Sequence, residues 1–239
     1  MPQRPSLLLF DVFGTVVDWR SSLIRQIPGQ LAAHGVIADP AVIADRWRQL
    51  YQPSMQAIRS GARPWVPLDD LHRESLDVVL TDLGCEALPA DARDALNRVW
   101  HRLDGWADAA PGLRELRRFG YCCALSNGNL RMMAAIARHA GLSWDQILGA
   151  EWSKAYKPTP RVYLDATAAF AVEPASTIMV AAHNSDLDAA RALGFQTAFV
   201  RRPTEHGPDQ TTDLDPTTLP DYVADDLVDL ANELGRVHG

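Results

Sequence analysis

Four short apolar runs end in polar residues: "SLLLFD" closing on Asp11, "YCCALSN" on Asn127, "TIMVAAHN" on Asn184, and "TAFV" running from Thr197 to Val200 before two arginines. Helix-like periods over 129–140, 159–170 and 186–193 separate the later runs, and the last of them stops at Gly194, a residue suited to a helix C-cap. Runs this short and continuous belong to strands buried on both faces, and their alternation with helices specifies a parallel sheet covered on both sides. In such α/β sheets ligands sit outside the carboxyl ends of the strands. Asp11, the pair Ser126 and Asn127, and the cluster His183, Asn184 and Asp186 all follow strand ends, so they are expected to converge although the chain holds them far apart.

Between Trp19 and Leu103 the pattern changes to helical periods ("AVIADRWRQLYQ", "LDDLHRESLDVVLTDL", "DARDALNRVWHRL") with no convincing strand. The simplest organisation is an α/β core of residues 1–18 and 104–239, interrupted after its first strand by an all-helical insertion, 19–103, that sits over the strand ends as a lid. "GARPWVP" reads as a loop inside the insertion and "GWADAAPG" as the return to the core. With 239 residues, 47% of them hydrophobic, the chain has enough apolar surface for both parts. Its net charge of −7, from 23 basic and 30 acidic residues, argues against a general nucleic-acid binder. Small anions stay open, because a local set of donors outweighs a global sign. Cys85, Cys122 and Cys123 have neither disulfide nor zinc spacing and read as buried thiols in a reducing compartment. No export pattern is seen and no apolar run approaches the roughly 20 residues of a membrane span, so the expected location is cytoplasmic, with no membrane partner.

Asp11 with Thr15, then "LSNG", "YKP" and "NSDLDAARALGF", stand in an order and spacing that resemble the haloacid dehalogenase superfamily. Within it, "FDVFGT", "WRQ", "LSNG" and "YKPTPRVY" are most similar to the L-2-haloacid dehalogenases. The resemblance covers essentially the whole chain. It implies a Rossmann-like α/β core with an inserted helical cap, and hydrolysis of a short halogenated carboxylic acid through an aspartyl ester, with no metal or cofactor. By analogy it also implies a possible homodimer.

On this reading Asp11 is the nucleophile, with Thr15 a further catalytic residue, since a carboxylate at a strand end can form an ester that splits one hard displacement into two easier steps. Superfamily phosphatases resemble the motif but carry a second acid two residues on, which protonates the departing alcohol. Phe13 stands there instead, and a halide leaves without a proton. Asp186 matches the second acid of the fourth motif, while the first falls near Ala182 or His183 and is missing, a poor set for magnesium, which prefers several oxygen ligands. Lys157, before Pro158 and six residues ahead of Tyr163, matches the family lysine that keeps Asp11 ionised, with Lys154 as the bland alternative.

The resemblance further gives Ser126 to the substrate carboxylate, Asn127 to the halide site and Arg48 to the departing halide, with Val12, Phe13 and Tyr163 around the substrate. Trp65 or Trp47 is expected to supply an aromatic wall, and Arg46 to be solvated. The relatives' serine-serine-asparagine before the final aspartate is replaced by Ala181, Ala182 and His183, so His183 is expected to act as donor or base. Arg48, Asn127 and His183 together would suit fluoride, and hence fluoroacetate. Arg201 and Arg202 read as solvated, and "DDLVDLANEL" as a terminal amphipathic helix on the core. Two rivals remain: a magnesium-dependent phosphatase of the same superfamily, and a non-catalytic small-anion-binding protein.

Overall fold

The computed structural model describes residues 3–239. The chain opens with β1 (Leu7–Phe10), whose four side chains are all buried, as a strand covered on both faces requires. It leaves the sheet through β2 (Val17–Asp18) and runs through α1 (Trp19–Ala32), α2 (Pro40–Gln49), α3 (Tyr51–Arg59), α4 (Leu68–Asp82), α5 (Ala90–Asn97) and a 3-10 turn over Arg98–Arg102. It returns through β3 (Asp104–Gly105), which pairs antiparallel with β2. This two-residue ribbon clasps the points where the helical segment leaves and re-enters.

The remainder is α6 (Ala109–Leu116), β4 (Tyr121–Ser126), α7 (Leu130–Ala140), β5 (Gln146–Gly149), α8 (Ala150–Ser153), α9 (Pro160–Ala169), β6 (Thr177–Ala181), α10 (Asn184–Ala192), β7 (Gln196–Val200), β8 (Tyr222–Ala224) and α11 (Leu227–His238). Six strands form one parallel sheet in the order β5-β4-β1-β6-β7-β8. Its four central strands are the runs read from the sequence. The edge strands β5 and β8 were not expected: "QILG" and "YVA" are too short to carry a pattern of their own. Neighbouring aspartates dock them, since Asp145 accepts the Cys122 N–H at 2.9 Å and Asp221 the Thr197 N–H at 2.8 Å.

Alternate residues of β1 feed two apolar layers. Leu7 and Leu9 pack with Val162, Tyr163 and Leu187 of α9 and α10. Leu8 and Phe10 join a larger layer that continues through Trp19, Trp47 and Trp100 of the helical segment and Leu230 of α11. The terminal helix lies on α6, where Gly112 leaves no room for a side chain: a Cβ there would stand 2.5 Å from Leu227 Cβ. All three cysteines are buried free thiols. No helix among the described residues is long and apolar enough to cross a membrane.

Candidate active site

The fold brings three carboxylates, Asp11, Asp186 and Glu205, into contact with two basic side chains, Lys157 and His183. Asp11 follows β1, and its backbone N–H reaches Val180 O of β6 at 3.0 Å. Thr15 donates its hydroxyl to Asp11 Oδ2 at 2.8 Å and accepts the Ala182 N–H at 2.9 Å, which stitches the loop after β1 to the end of β6. Lys157 Nζ lies 2.9 Å from Asp11 Oδ1 and 2.5 Å from Asp186 Oδ2. Its backbone is fixed as well, because its N–H donates to Asn127 Oδ1 at 2.8 Å. Asp186, in the first turn of α10, accepts the Tyr163 hydroxyl on its other oxygen at 2.8 Å. Burial alone would raise the Asp11 pKa, but Lys157 and His183 outweigh it and hold the carboxyl far below its ordinary range. Lys157 is pushed the other way, its two carboxylates more than offsetting its burial.

His183, the residue before α10, bridges two acids. Its Nδ1 lies 3.1 Å from Asp11 Oδ2 and its Nε2 2.9 Å from Glu205 Oε2. Burial would strip its proton, yet Glu205 and Asp11 together raise its pKa well above 6.5, which favours the imidazolium, whose two N–H groups would both be engaged. Glu205 is lowered to about 2, because the charge of His183 outweighs its own burial. It also accepts Trp19 Nε1–H at 2.9 Å, and Arg48 Nη2 approaches to 3.9 Å. Gly14 makes room for it: the backbone turns there at φ +86°, and a Cβ would stand 2.1 Å from Glu205 Oε1.

Sequence reasoning missed Glu205. It lies in "RRPTEHGPDQ", with no periodicity to mark it, yet it follows the end of β7 and so obeys the strand-end rule that identified the other residues. The same loop corrects a second expectation. Arg202 is buried and not solvated: it donates to Thr15 O at 2.9 Å and forks onto both oxygens of Asp108 at 2.9 and 2.6 Å, anchoring the loop that carries Thr15. Arg201 faces outward toward Asp215 and Asp225.

A cavity of about 710 Å³ opens above Asp11, lined by Phe13, Asn127, Lys157, His183 and Asp186 from the core and by Arg48, Tyr51, Gln52, Gln56 and Arg59 from α2 and α3. Arg48 lays its guanidinium 4.2 Å from the centre of the Tyr51 ring, and its Nη1 is buried without a hydrogen-bond partner. Arg46 is exposed, as expected. The aromatic wall from the helical segment is Tyr51, edge-on to Phe13 with ring centres 6.2 Å apart. Neither tryptophan supplies it. Trp65 stacks on Tyr156, whose hydroxyl pins the proline-containing loop through Val66 O at 2.7 Å, and Lys154 caps the indole. Trp47 is buried with its Nε1–H on His72 O.

Ser126 is also off the cavity wall: it is fully buried and its hydroxyl accepts the Gly128 N–H at 3.0 Å, completing the turn after β4. Val12 lies in the apolar core, and Thr15 and Tyr163 stand behind Asp11 and Asp186 and do not line the cavity. Asp11, His183 and Asp186 have ligand atoms within 4.8 Å of one another. The set does not fit magnesium, because the Lys157 ammonium already bridges the two carboxylates and the third member is a histidine nitrogen, whereas magnesium prefers several oxygen ligands.

Residues 5–194 match the family model described as haloacid dehalogenase-like hydrolase. The chain is 30% identical to (S)-2-haloacid dehalogenase 4A of Burkholderia cepacia over 197 residues, 81% of this chain and 82% of that protein. Among solved structures it is similar to an L-2-haloacid dehalogenase (44% identity, TM-score 0.94, covering 97% of this chain and 99% of the other). It is also similar to a defluorinating L-2-haloacid dehalogenase (43% identity, TM-score 0.95, covering 98% and 100%).

Proposed function

The chain belongs to the haloacid dehalogenase-like hydrolase family, and from that premise we propose that Asp11 displaces the halide from short L-2-haloacids and haloacetates to give 2-hydroxy acids. Like its relatives it is a hydrolase of carbon–halide bonds. The observation that carries the residue-level reading is an ionised, fully oriented Asp11 sharing one cavity with the unpartnered guanidinium nitrogen of Arg48. Residues 19–103 act as the cap that brings Arg48 and Tyr51 over the core formed by 1–18 and 104–239.

Asp11 Oδ2 accepts from both Thr15 and His183, whereas Oδ1 accepts from Lys157 alone, so Oδ1 keeps the spare lone pair and attacks the carbon bearing the halogen. The halide departs on the opposite face toward Arg48 and Asn127. A charged donor that gains its partner only as negative charge develops favours the transition state over the bound acid. Attack from behind inverts the carbon, so an L-2-haloacid gives the D-2-hydroxy acid. No acid need protonate the leaving group, which is why Phe13 suits the site.

In the resulting ester Oδ2 is the carbonyl oxygen, and Thr15 and His183 already donate to it. They therefore stabilise the oxyanion formed when water adds at the Asp11 carbonyl carbon. Asp186, whose oxygens each take one donor and keep further acceptor capacity, orients and deprotonates that water. The product alcohol leaves from Oδ1, beside the Lys157 ammonium that supplies its proton. His183 acts here as a charged donor and not as the base: Asp11 is neutral in the ester, and Glu205, the largest of the influences that raise the His183 pKa, keeps the proton on the ring.

Fluoroacetate belongs to the proposed substrates: the compact donors Arg48 and Asn127 suit a small, strongly accepting halide, and one similar structure is of a defluorinating enzyme. Halide release from fluoro-, chloro- and bromoacetate tests both levels. We expect all three to react, and release confined to the heavier halides would remove fluoride alone. No halide from any of them, with magnesium-dependent phosphate release from an aryl phosphate, would overturn the reading.

A further inference from the structure

Resting on the dehalogenase reading, we propose that Arg59 forms a second anion site in the outer part of the cavity, which selects 2-halodicarboxylic acids of succinate or glutarate length by their distal carboxylate. Arg59 ends α3 and lines the cavity. Its guanidinium is fixed by Gln56 Oε1 at 3.1 Å, Gln52 Oε1 at 3.0 Å, Gln52 O at 3.2 Å and Lys157 O at 3.0 Å. Every one of these acceptors is neutral. The other basic groups of the cavity differ: Lys157 is shared by two carboxylates, His183 lies between Asp11 and Glu205, and Arg48 has Glu205 within 3.9 Å. Arg59 is therefore a pre-oriented, partly desolvated charge whose counterion the chain does not supply, which is the condition for binding an anionic ligand.

Its partners sharpen the site. Both glutamines turn their amide oxygens to the guanidinium, which leaves their NH₂ groups available to a ligand in the cavity they line. Asp213, the remaining acid of the cavity lining beside Asp11 and Asp186, already accepts from the N–H and side-chain amide of Asn184 at 2.9 and 2.7 Å. The tether to Lys157 sets the distance. The ammonium of Lys157 holds Asp11 at 2.9 Å while its carbonyl holds Arg59 at 3.0 Å, so nucleophile and second cation are separated by at most one lysine residue and a hydrogen bond at each end. That separation suits a diacid attacked at C2 with its far carboxylate on Arg59. A cavity of about 710 Å³ also falls in the range that accepts ligands much larger than a haloacetate.

The test compares kcat/KM for L-2-chlorosuccinate, its monoacid counterpart 2-chlorobutanoate, and chloroacetate, in the wild type, Arg59→Met and Arg59→Lys. The wild type should favour the diacid over 2-chlorobutanoate. Arg59→Met should lower the diacid value by about ten- to a hundredfold while the two monoacids change much less, and Arg59→Lys should recover part of the loss. An equal fall on all three substrates would make Arg59 a tether of α3 or the clamp for the only carboxylate, and would overturn the proposal. So would a wild type without diacid preference. Absence of halide release from every substrate would instead count against the dehalogenase reading itself.

Discussion

Glu205 decides what His183 can do. Glu205 and Asp11 on either side favour the charged imidazole, since they raise its pKa well above 6.5. Glu205→Gln keeps the shape and removes the stronger of the raising influences, so the His183 pKa falls. The sign of the consequence separates donor from base. If His183 is the charged donor to the ester carbonyl, the variant's kcat falls as pH rises through the lowered pKa, while the wild type holds its rate over the same interval. If His183 were the base, the variant would instead gain at the lower pH, where the wild-type ring is still protonated. A pH–kcat profile on chloroacetate, with the ring titrated by NMR, reads this directly.

Much of this scale was legible in the sequence. Asp11, Lys157 and Asp186 stand at strand ends or at a family spacing, and Phe13 marks a missing acid. Ser126 and Trp65 stand off the cavity wall because orientation depends on partners no local pattern reveals: the Gly128 N–H for one, Tyr156 for the other.

Elements matter here chiefly through their ends. α10 carries Asn184 at its start and Asp186 in its first turn, and a residue far along the chain caps it: Asp213 Oδ1 accepts the Asn184 N–H at 2.9 Å. Asp213→Ala should cost about 1 kcal/mol of stability, as loss of a helix N-cap does, and should loosen the turn that holds Asp186. Urea unfolding measures it, and an unchanged midpoint would mean that the cap is not needed. A cap supplied 29 residues downstream leaves no signature before the helix, so the sequence placed this start two residues late. The edge strands were hidden for a related reason. β5 and β8 are held by pairing to β4 and β7 and by Asp145 and Asp221, and not by an apolar run of their own. The central strands, buried on both faces, had nowhere to hide.

At the scale of the whole molecule, an acidic chain of net charge −7 gathers Lys157, His183, Arg48 and Arg59 around one cavity, where core and helical insertion meet. Global charge therefore described the surface, and strand-end topology described the site. The parallel sheet and the helical segment after β1 were readable because burial on two faces and helical periodicity both act over many residues. The cavity's outer wall was not, because it forms only when α3 is folded back over the loop bearing Lys157.

The central claim is that the hydroxyl oxygen of the product comes from Asp11. Chloroacetate turned over once by excess enzyme in oxygen-18 water, followed by mass analysis of glycolate and of the peptide containing Asp11, tests it most directly. Unlabelled glycolate and one labelled oxygen in Asp11 are the expected result. Labelled glycolate from an unlabelled Asp11 would contradict it and assign the displacement to water.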